Sequence, residues 1–174
     1  MSPFPTLARA QKTIAAFSGW SQPEPETGYV WFDAPLDIEG VTEAGFVLHG
    51  GAYSNRPEVH VTFEMRISKT PGRRCVPLSR IDWRSLTGGH TNPRWPPPSE
   101  WNGRTVSSTH FHDFEINWVP EQGRFRRRQL AREIEEDLQR FEQLRAYTGK
   151  HFRINNIEIV DVPPWEYNLF SRGP

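Results

Sequence analysis

The sequence contains one cysteine, and this scarcity excludes two ways in which small proteins are stabilised. With only Cys75, the chain has no internal disulfide and no zinc site built from several thiolates. Long apolar runs are missing as well, since no stretch approaches the roughly 20 residues that cross a bilayer. The first residues lack the basic segment followed by a continuous apolar segment that marks a signal peptide. We therefore expect a cytoplasmic protein with no membrane partner.

Aliphatic residues are few, but aromatic residues are plentiful. Hydrophobic residues make up 36% of the 174 residues, and aromatic residues alone account for 13%, with seven tryptophans and eleven phenylalanines. Each buried ring removes a large apolar area from water, so these rings can fill a core. A chain of this length and composition is expected to fold as one globular domain.

The formal net charge of zero conceals two oppositely charged regions. Residues 22–64 carry eight acidic side chains and one arginine, whereas residues 66–104 carry eight basic side chains and two acidic ones. Clustered positive charge attracts phosphates, so an anionic partner near the second region is one interpretation. The other interpretation is that the two regions neutralise each other across a sheet.

Two periodic patterns indicate the main secondary structure. Apolar and polar residues alternate over residues 58–68, and this period of two is typical of a strand with one face on the core. The apolar members are Val59, Val61, Phe63, Met65 and Ile67. Residues 126–147 instead carry an apolar stripe at three- and four-residue spacing, which predicts an amphipathic helix. The members of that stripe are Leu130, Ile134, Leu138, Phe141 and Leu144.

Taken in order, such patterns divide the single domain, residues 1–174, into four segments. The segments are residues 1–28 (N-terminal helix and loop), 29–119 (β-rich body, with a turn at 70–72), 124–149 (helix) and 152–162 (final strand). Strands followed by one helix favour an α+β fold. We expect a mostly antiparallel sheet with one long amphipathic helix packed on one face.

The stretch from Gly88 to Trp118 concentrates the residues that can carry chemistry. It holds three of the six histidines, three of the seven tryptophans and the only triple proline. A His-x-Asn-Pro turn leads into a proline- and tryptophan-rich loop, and residues 104–118 then follow as a predicted strand with a His-x-His pattern. Long loops in small domains are usually functional, so we expect a site here.

The predicted strand places His110 and His112 on one face, about 7 Å apart at the backbone. His90, in the preceding turn, is the natural supplier of a third imidazole. Three histidines with an open position form the arrangement of a catalytic zinc site or a related divalent metal site. Asp113 and Glu115 fall on the opposite face of an unbroken strand.

A metal-free use of the same residues is equally consistent with the pattern. Two histidines with pKa values near neutrality can act as general base and general acid on a ribose 2′-hydroxyl and a leaving 5′-oxygen. Arg104 would stabilise the charge that develops on the phosphate. The side chains expected to bind the substrate are Arg84, Arg94, Trp95, Trp101 and Thr109. A third interpretation leaves the histidines as ordinary polar residues at the end of a sheet.

The chain has no phosphate-binding glycine loop, nucleophile elbow or helical His-Glu-x-x-His motif. It does have R-I-D-W at 80–83, H-T-N-P at 90–93 and T-H-F-H at 109–112, ahead of the predicted helix. This order of motifs, over residues 80–152, resembles small bacterial and prophage proteins grouped with TumE-like toxins of toxin–antitoxin pairs. The resemblance implies a growth-inhibiting, RNA-directed activity and a cognate antitoxin.

Three hypotheses about function follow. The first is a toxin-type or mobile-element protein that acts on RNA, or on another phosphate-containing substrate, through His90, His110 and His112. The second is a non-enzymatic interaction module, such as a phage-encoded inhibitor, that binds a host protein through the tryptophan and proline loop. The third is a metal-dependent hydrolase of a small molecule.

Overall fold

A seven-stranded antiparallel sheet is the centre of the structure, a computed structural model that describes residues 3–68 and 75–167. The strands are β1 (Lys12–Ile14), β2 (Tyr29–Ile38), β3 (Val41–Tyr53), β4 (Val61–Ile67), β5 (Val76–Trp83), β6 (His90–Thr91), β7 (Thr105–Val106), β8 (His110–His112), β9 (Trp118–Val119), β10 (Arg124–Phe125) and β11 (Arg132–Glu133). The large sheet has the order β1-β2-β3-β4-β5-β8-β11, and two small hairpins, β6–β7 and β9–β10, lie outside it. The predicted α+β class and antiparallel sheet are confirmed, and the predicted turn at 70–72 lies outside the described residues.

The helices are α1 (Phe4–Arg9), α2 (Phe114–Asn117) and α3 (Phe141–Phe152), with short 3₁₀ turns at Pro120–Gln122 and Ile157–Ile159. Within the predicted segment of residues 1–28, the helix therefore covers only Phe4–Arg9. A strand that was not predicted, β1, begins at Lys12. Lys12 ends α1, because its buried amine donates hydrogen bonds to the carbonyl groups of Leu7 and Ala8 at 3.0 Å. These carbonyls have no partners inside the helix, so the amine satisfies acceptors that the core would otherwise leave unpaired.

The alternation predicted for residues 58–68 is present in β4, but the strand begins only at Val61. Val59, predicted to face the core, is half-buried in a bend, and His60 has a left-handed backbone with φ of 55°. Val61, Phe63, Met65 and Ile67 are buried, whereas the residues between them are half-buried on the opposite face. The buried face carries most of the aromatic core. Phe63 lies 6.0 Å from Phe141 of α3, measured between ring centroids, so α3 packs on this face. The other face of the sheet is lined with polar side chains, and its cross-strand pairs position the candidate site described below.

The predicted helix over 124–149 is wrong for most of its length. Residues 126–140 form no helix, β11 lies within them, and α3 begins only at Phe141 and ends at Phe152. Gly149, predicted to end the helix, lies inside α3. A side chain at this position would stand 2.5 Å from the side chain of Ile157, so the glycine allows the following segment to pack closely on the helix.

Two buried asparagines explain why residues 126–140 are extended. Asn117 accepts a hydrogen bond from Leu130 N at 2.7 Å and donates one to Leu130 O at 2.9 Å. Asn92 accepts from Ala131 N at 2.8 Å and donates to Ala131 O at 2.6 Å. Each amide side chain thus pairs with a peptide group as a neighbouring strand does. These tertiary hydrogen bonds outweigh the helical preference of the apolar stripe.

The predicted final strand over 152–162 is also wrong. Arg153 has a left-handed backbone, with φ of 56°, which turns the chain at the end of α3. One isolated parallel bridge joins Ile154 to Lys12, and a 3₁₀ turn over Ile157–Ile159 follows. The apolar residues in this segment pack against α3 instead of extending the sheet.

The role of Asn117 can be tested through stability. Replacing Asn117 with Ala leaves the buried Leu130 N without its acceptor and removes one of the two donors to Leu130 O, and we expect a loss of about 3 kcal/mol in the free energy of unfolding. Asn155→Ala, at an exposed asparagine that accepts a hydrogen bond from Gln11, is the matched control and should cost within about 0.5 kcal/mol. Urea denaturation measures both. Equal effects of the two variants would contradict this explanation of the extended segment.

Candidate functional site

Three imidazoles converge at the end of the polar sheet face. His110 and His112 project from β8, and His90 comes from β6. One nitrogen from each ring lies within 4.8 Å of the corresponding nitrogens of the other two. The rings of His90 and His112 are nearly parallel, with centroids 5.6 Å apart, and that of His110 stands edge-on to both. The structure therefore brings together the three histidines that the sequence singled out, and their function stays a prediction.

The β6–β7 hairpin carries His90 to the other two histidines. His90 pairs with Val106 and Thr91 with Thr105, so the proline- and tryptophan-rich loop closes on itself between these strands. Asn92, in the His-x-Asn-Pro turn, fixes the hairpin to the body because its side chain also donates to Trp101 O at 3.0 Å. The same asparagine that holds Ala131 thus sets the position of His90.

Backbone carbonyl groups determine which ring nitrogens face the cluster. His110 Nδ1 lies 2.8 Å from Ser107 O, and His112 Nδ1 lies 3.1 Å from Leu130 O. Because a carbonyl oxygen only accepts, both rings donate a proton at Nδ1. The Nε2 atoms of the two rings are directed toward the centre of the cluster. Metal-binding histidines are commonly oriented in this way, with one nitrogen anchored to a carbonyl group and the other presented to the ion.

Two residues that the sequence analysis did not assign to the site complete the cluster. Asp82 Oδ2 lies 3.2 Å from His110 Nε2 and 3.7 Å from His112 Nε2. Arg80 donates from Nε to the same carboxylate oxygen at 2.9 Å, and its Nη2 lies 2.8 Å from His112 Nε2. Thr62 holds the other carboxylate oxygen at 2.9 Å. The site is therefore three imidazoles, one carboxylate and one guanidinium group.

Strand register explains the positions of Arg80 and Asp82. Asp82 pairs directly with His110, and Arg80 pairs with His112, across the β5–β8 ladder. Residues that face each other across antiparallel strands project from the same side of the sheet. Both residues belong to the R-I-D-W motif, and their spacing of two was visible in the sequence. The pairing of β5 with β8 across 26 intervening residues was not visible, so no signal linked Arg80 and Asp82 to the histidines.

The pKa values of Asp82, His112 and His90 all lie below their ordinary values. Burial alone would raise the pKa of Asp82, but the hydrogen bond with His110 and the charge of Arg80 outweigh it and hold this pKa below its ordinary value. Burial, followed by the charge of Arg80, lowers the pKa of His112 to about 3. Burial also lowers the pKa of His90. His112 is therefore neutral at physiological pH, which is the form that binds a metal ion.

The predicted substrate-binding residues Arg84 and Thr109 lie beside each other, and both have structural partners. The Arg84 guanidinium stacks on the Trp83 ring at 4.5 Å and donates to Gln139 O at 3.0 Å. The hydroxyl of Thr109 accepts a hydrogen bond from the backbone of Arg84. In the described part of the chain, these contacts of Arg84 and Thr109 involve none of the three histidines.

The remaining predicted residues lie in the loop between β6 and β7. Arg104 donates from Nε to Glu100 O at 2.8 Å and stacks on the Trp101 ring at 4.8 Å. Arg94 folds over Gly103, and Trp95 is 45% exposed. The catalytic role predicted for Arg104 has no support from its contacts in the described part of the chain. Arg80 instead occupies the position beside the imidazoles.

The predicted continuous strand over residues 104–118 is replaced by shorter elements. β7 and β8 are separated by a turn, and α2 begins directly after β8. Asp113 caps α2 by accepting from Glu115 N at 3.0 Å, and it also pairs with Arg132 at 3.1 Å. Glu115 forms a two-bond ion pair with Arg9. Asp113 and Glu115 therefore bond to groups other than the imidazoles. The sequence predicted this from the opposite face of a strand, whereas in the structure the two acids lie at the start of α2.

Comparisons with protein-family models, curated proteins and solved structures found no match to this chain. The resemblance to TumE-like toxins and the assignment to RNA therefore stay predictions. Within residues 3–68 and 75–167, no helix has the length and apolar character needed to cross a bilayer.

The low pKa of His112 predicts a specific loss of stability in acid. In metal-free protein, the folded state does not take up a proton at His112 between about pH 6.5 and pH 3, whereas the unfolded state does, so stability falls as the pH drops through this range. Replacing His112 with Asn, which keeps a side-chain donor near Leu130 O, should flatten the dependence by up to about 1.4 kcal/mol per pH unit.

Urea denaturation at pH 7, 6 and 5 in the presence of a chelator measures this slope. His60→Asn is the control, because burial lowers the pKa of His60 as well but its ring is only half-buried, so its removal should change the slope less. Equal slopes of the free energy of unfolding against pH for His112→Asn and the unmodified protein would contradict the prediction. They would show that His112 takes up protons equally in the folded and the unfolded state.

Proposed function

We propose that this protein is a metal-dependent hydrolase that acts on RNA or another phosphate-containing substrate. His90, His110 and His112 would hold one divalent transition-metal ion, such as zinc. The observation that carries the proposal is the convergence of three imidazole nitrogens within 4.8 Å, two of them from rings whose Nδ1 is anchored to a backbone carbonyl. An open coordination position beside three histidines is typical of catalytic zinc.

The donor set fits such an ion after a small contraction. Zinc–nitrogen bonds of about 2.0–2.1 Å place tetrahedral ligand atoms roughly 3.4 Å apart. The present separations of up to 4.8 Å thus need movements on the order of 1 Å. His90 lies on a two-residue strand at the edge of the body and is the least buried of the three rings, so it can supply this movement.

Arg80 and Asp82 would perform different tasks in the loaded site. The guanidinium group of Arg80 now donates to His112 Nε2, and an ion at that nitrogen would release this Nη2 while the bond from Nε to Asp82 remains. The released donor is suited to bind a phosphoryl oxygen and to stabilise charge that develops there. Asp82 supplies the negative charge that neutral imidazoles lack, and it holds Arg80 in place.

The metal would supply the nucleophile, because three-histidine zinc lowers the pKa of a bound water to about 7. The rest of the proposal concerns residues of this chain. His110 and His112 are buried by the sheet and by the segment around Leu130, so their rings are held in one orientation. His90 is partly exposed, so a substrate can approach the cluster from its side.

A metal-free catalytic function is the second candidate, and the contacts of His110 favour it. Its Nδ1 faces Ser107 O and its Nε2 faces Asp82 Oδ2, so each ring nitrogen has an oxygen acceptor. A carboxylate that orients an imidazole in this way prepares the ring to serve as a general acid. His90, exposed and with a lowered pKa, would then be the general base, and Arg80 would bind the phosphate.

Two further roles stay proposals. A toxin that is neutralised by a cognate antitoxin is implied by the resemblance of residues 80–152 to TumE-like toxins. A non-enzymatic module that binds a host protein through the tryptophan and proline loop is favoured by one observation, the exposed ring of Trp95. The experiments below distinguish the non-enzymatic module from a protein that does chemistry at the histidine cluster.

Metal affinity tests the proposal directly. Competition titration of chelator-treated protein with zinc should show one site per chain, and His112→Ala should abolish it. Asp82→Asn should weaken zinc binding by about 10- to 100-fold, as expected for a residue that orients ligands. Arg80→Gln should strengthen zinc binding about tenfold, because a cation no longer faces the ion. Arg66→Gln, on the same sheet face but paired with Asp33, is the control and should have no effect.

Activity distinguishes the two catalytic candidates. With a fluorogenic RNA substrate, the metal hydrolase should lose activity on chelation and recover it with zinc, and Arg80→Gln should lower activity although it binds zinc more tightly. Chelator-resistant cleavage that His110→Ala abolishes would support the metal-free candidate instead. If the protein binds no metal and the histidine variants leave RNA cleavage and growth inhibition intact, both catalytic proposals are wrong.

A further inference from the structure

Trp95 lies at the surface of the loop between β6 and β7, and arginines from a distant segment surround its ring. The ring is 45% exposed, and the guanidinium carbons of Arg127 and Arg128 stand 6.0 and 5.5 Å from its centroid. Arg94 precedes Trp95 in the chain and is itself exposed. We refer to Arg94, Trp95, Arg127 and Arg128 as the Trp95 surface. An exposed aromatic ring beside several cations is a feature that hydrophobic packing does not explain.

The loop that carries this surface is held in place by hydrogen bonds. Arg126 donates to the carbonyl groups of Pro97 and Pro98 and to Ile116 O at 2.9 Å, so it ties the loop to the segment that supplies the arginines. Asn102 donates to Trp95 O across the loop. The ring of Trp95 is thus presented on an ordered backbone, which reduces the entropy that a ligand loses on binding.

The charges of the Trp95 surface have no acidic partners in the described part of the chain. The ion pairs there involve other arginines, and none includes Arg94, Arg127 or Arg128. By contrast, the neighbouring Arg104 pairs with Glu100 at 3.7 Å. Two unpaired guanidinium groups beside an aromatic ring, and a third on the residue that precedes it in the chain, attract a ligand that carries several negative charges and a flat, stackable group.

We propose that the Trp95 surface binds single-stranded nucleic acid, with a base stacked against Trp95 and backbone phosphates on Arg94, Arg127 and Arg128. A duplex is a poorer ligand, because its bases are already stacked and unavailable to the ring. An acidic peptide would pair with the arginines, but its residues do not each carry a flat group that can stack on Trp95. RNA and DNA share the chemistry that this surface recognises, so the test includes both.

The surface also lies close to the histidine cluster along the chain. Trp95 is five residues from His90, so their Cα atoms are at most about 18 Å apart. A strand bound at Trp95 can therefore extend to the cluster, which would make single-stranded nucleic acid the substrate class. This last step rests on the proposed hydrolase function, whereas binding at the Trp95 surface does not depend on it.

Binding is measured by fluorescence anisotropy with a labelled, unstructured 12-nucleotide RNA and with DNA of the same sequence, in chelator so that no cleavage occurs. Trp95→Ala should weaken binding about tenfold, within the range known for base–aromatic stacking, and Trp95→Phe should retain most of the affinity. Trp31→Ala is the matched control, because Trp31 is 42% exposed on β2 and has a histidine, not arginines, stacked near its ring. It should bind as the unmodified protein does.

The salt dependence of binding tests the arginines. For single-stranded ligands, the slope of log affinity against log salt falls by about 0.7 for each phosphate contact that is lost. Arg127→Gln and Arg128→Gln should each reduce the slope by about this amount. Arg56→Gln, which removes an exposed arginine near the Tyr53 ring, should leave the slope unchanged.

Two outcomes would overturn the proposal. Equal affinities for Trp95→Ala and Trp31→Ala would show that the ring makes no contact with the ligand. If the unmodified protein shows no saturable binding of the RNA or the DNA, the surface does not bind nucleic acid, and a protein is then the expected ligand. Neither outcome affects the zinc titration, so a failure of this inference is distinguishable from a failure of the hydrolase proposal. Tighter binding of RNA than of DNA would identify RNA as the ligand, and equal binding would leave single-stranded nucleic acid in general.

Discussion

The hydrogen bonds at the peptide groups of Leu130 and Ala131 support both the fold and the candidate site. Leu130 O accepts from Asn117 and from His112 Nδ1, and Asn92 pairs with Ala131 from the other side. These bonds keep the segment before α3 extended against the sheet end. They also fix the tautomer of His112 and, through Asn92, the turn that carries His90. Burial makes each bond costly to lose, so the geometry of the imidazoles is coupled to the stability of the domain.

The features that could be predicted from the sequence are those that one segment specifies by itself. The alternation in β4 reflects a strand with one buried face, and it appears over Val61–Ile67, within the predicted range. The abundance of strand patterns before a single helix was enough for the α+β class and the antiparallel sheet. The grouping of His90, His110 and His112 followed from a turn and a two-residue spacing, both of which are local. Such patterns survive because no distant contact competes with them.

The features that could not be predicted depend on contacts between distant residues. The apolar stripe at Leu130, Ile134 and Leu138 is spaced as in a helix, but the side chains of Asn92 and Asn117 hold its backbone in another conformation. Asp82 and Arg80 reach the histidines only because β5 pairs with β8. A hydrophobic pattern reports which residues are buried and gives no information about strand order. The segment around Leu130, where local preference and final structure disagree, is therefore also the one that anchors His112.

The central claim is that the three converging imidazoles bind one metal ion, and X-ray absorption at the zinc edge tests it most directly. Protein loaded with one equivalent of zinc should show imidazole nitrogens in the first shell at about 2.0–2.1 Å, three in number, with the multiple scattering of histidine rings. The His112→Ala variant, which should bind no zinc at this site, should lose this imidazole signal. A first shell made of oxygen atoms alone, or a spectrum unchanged by that substitution, would contradict the account.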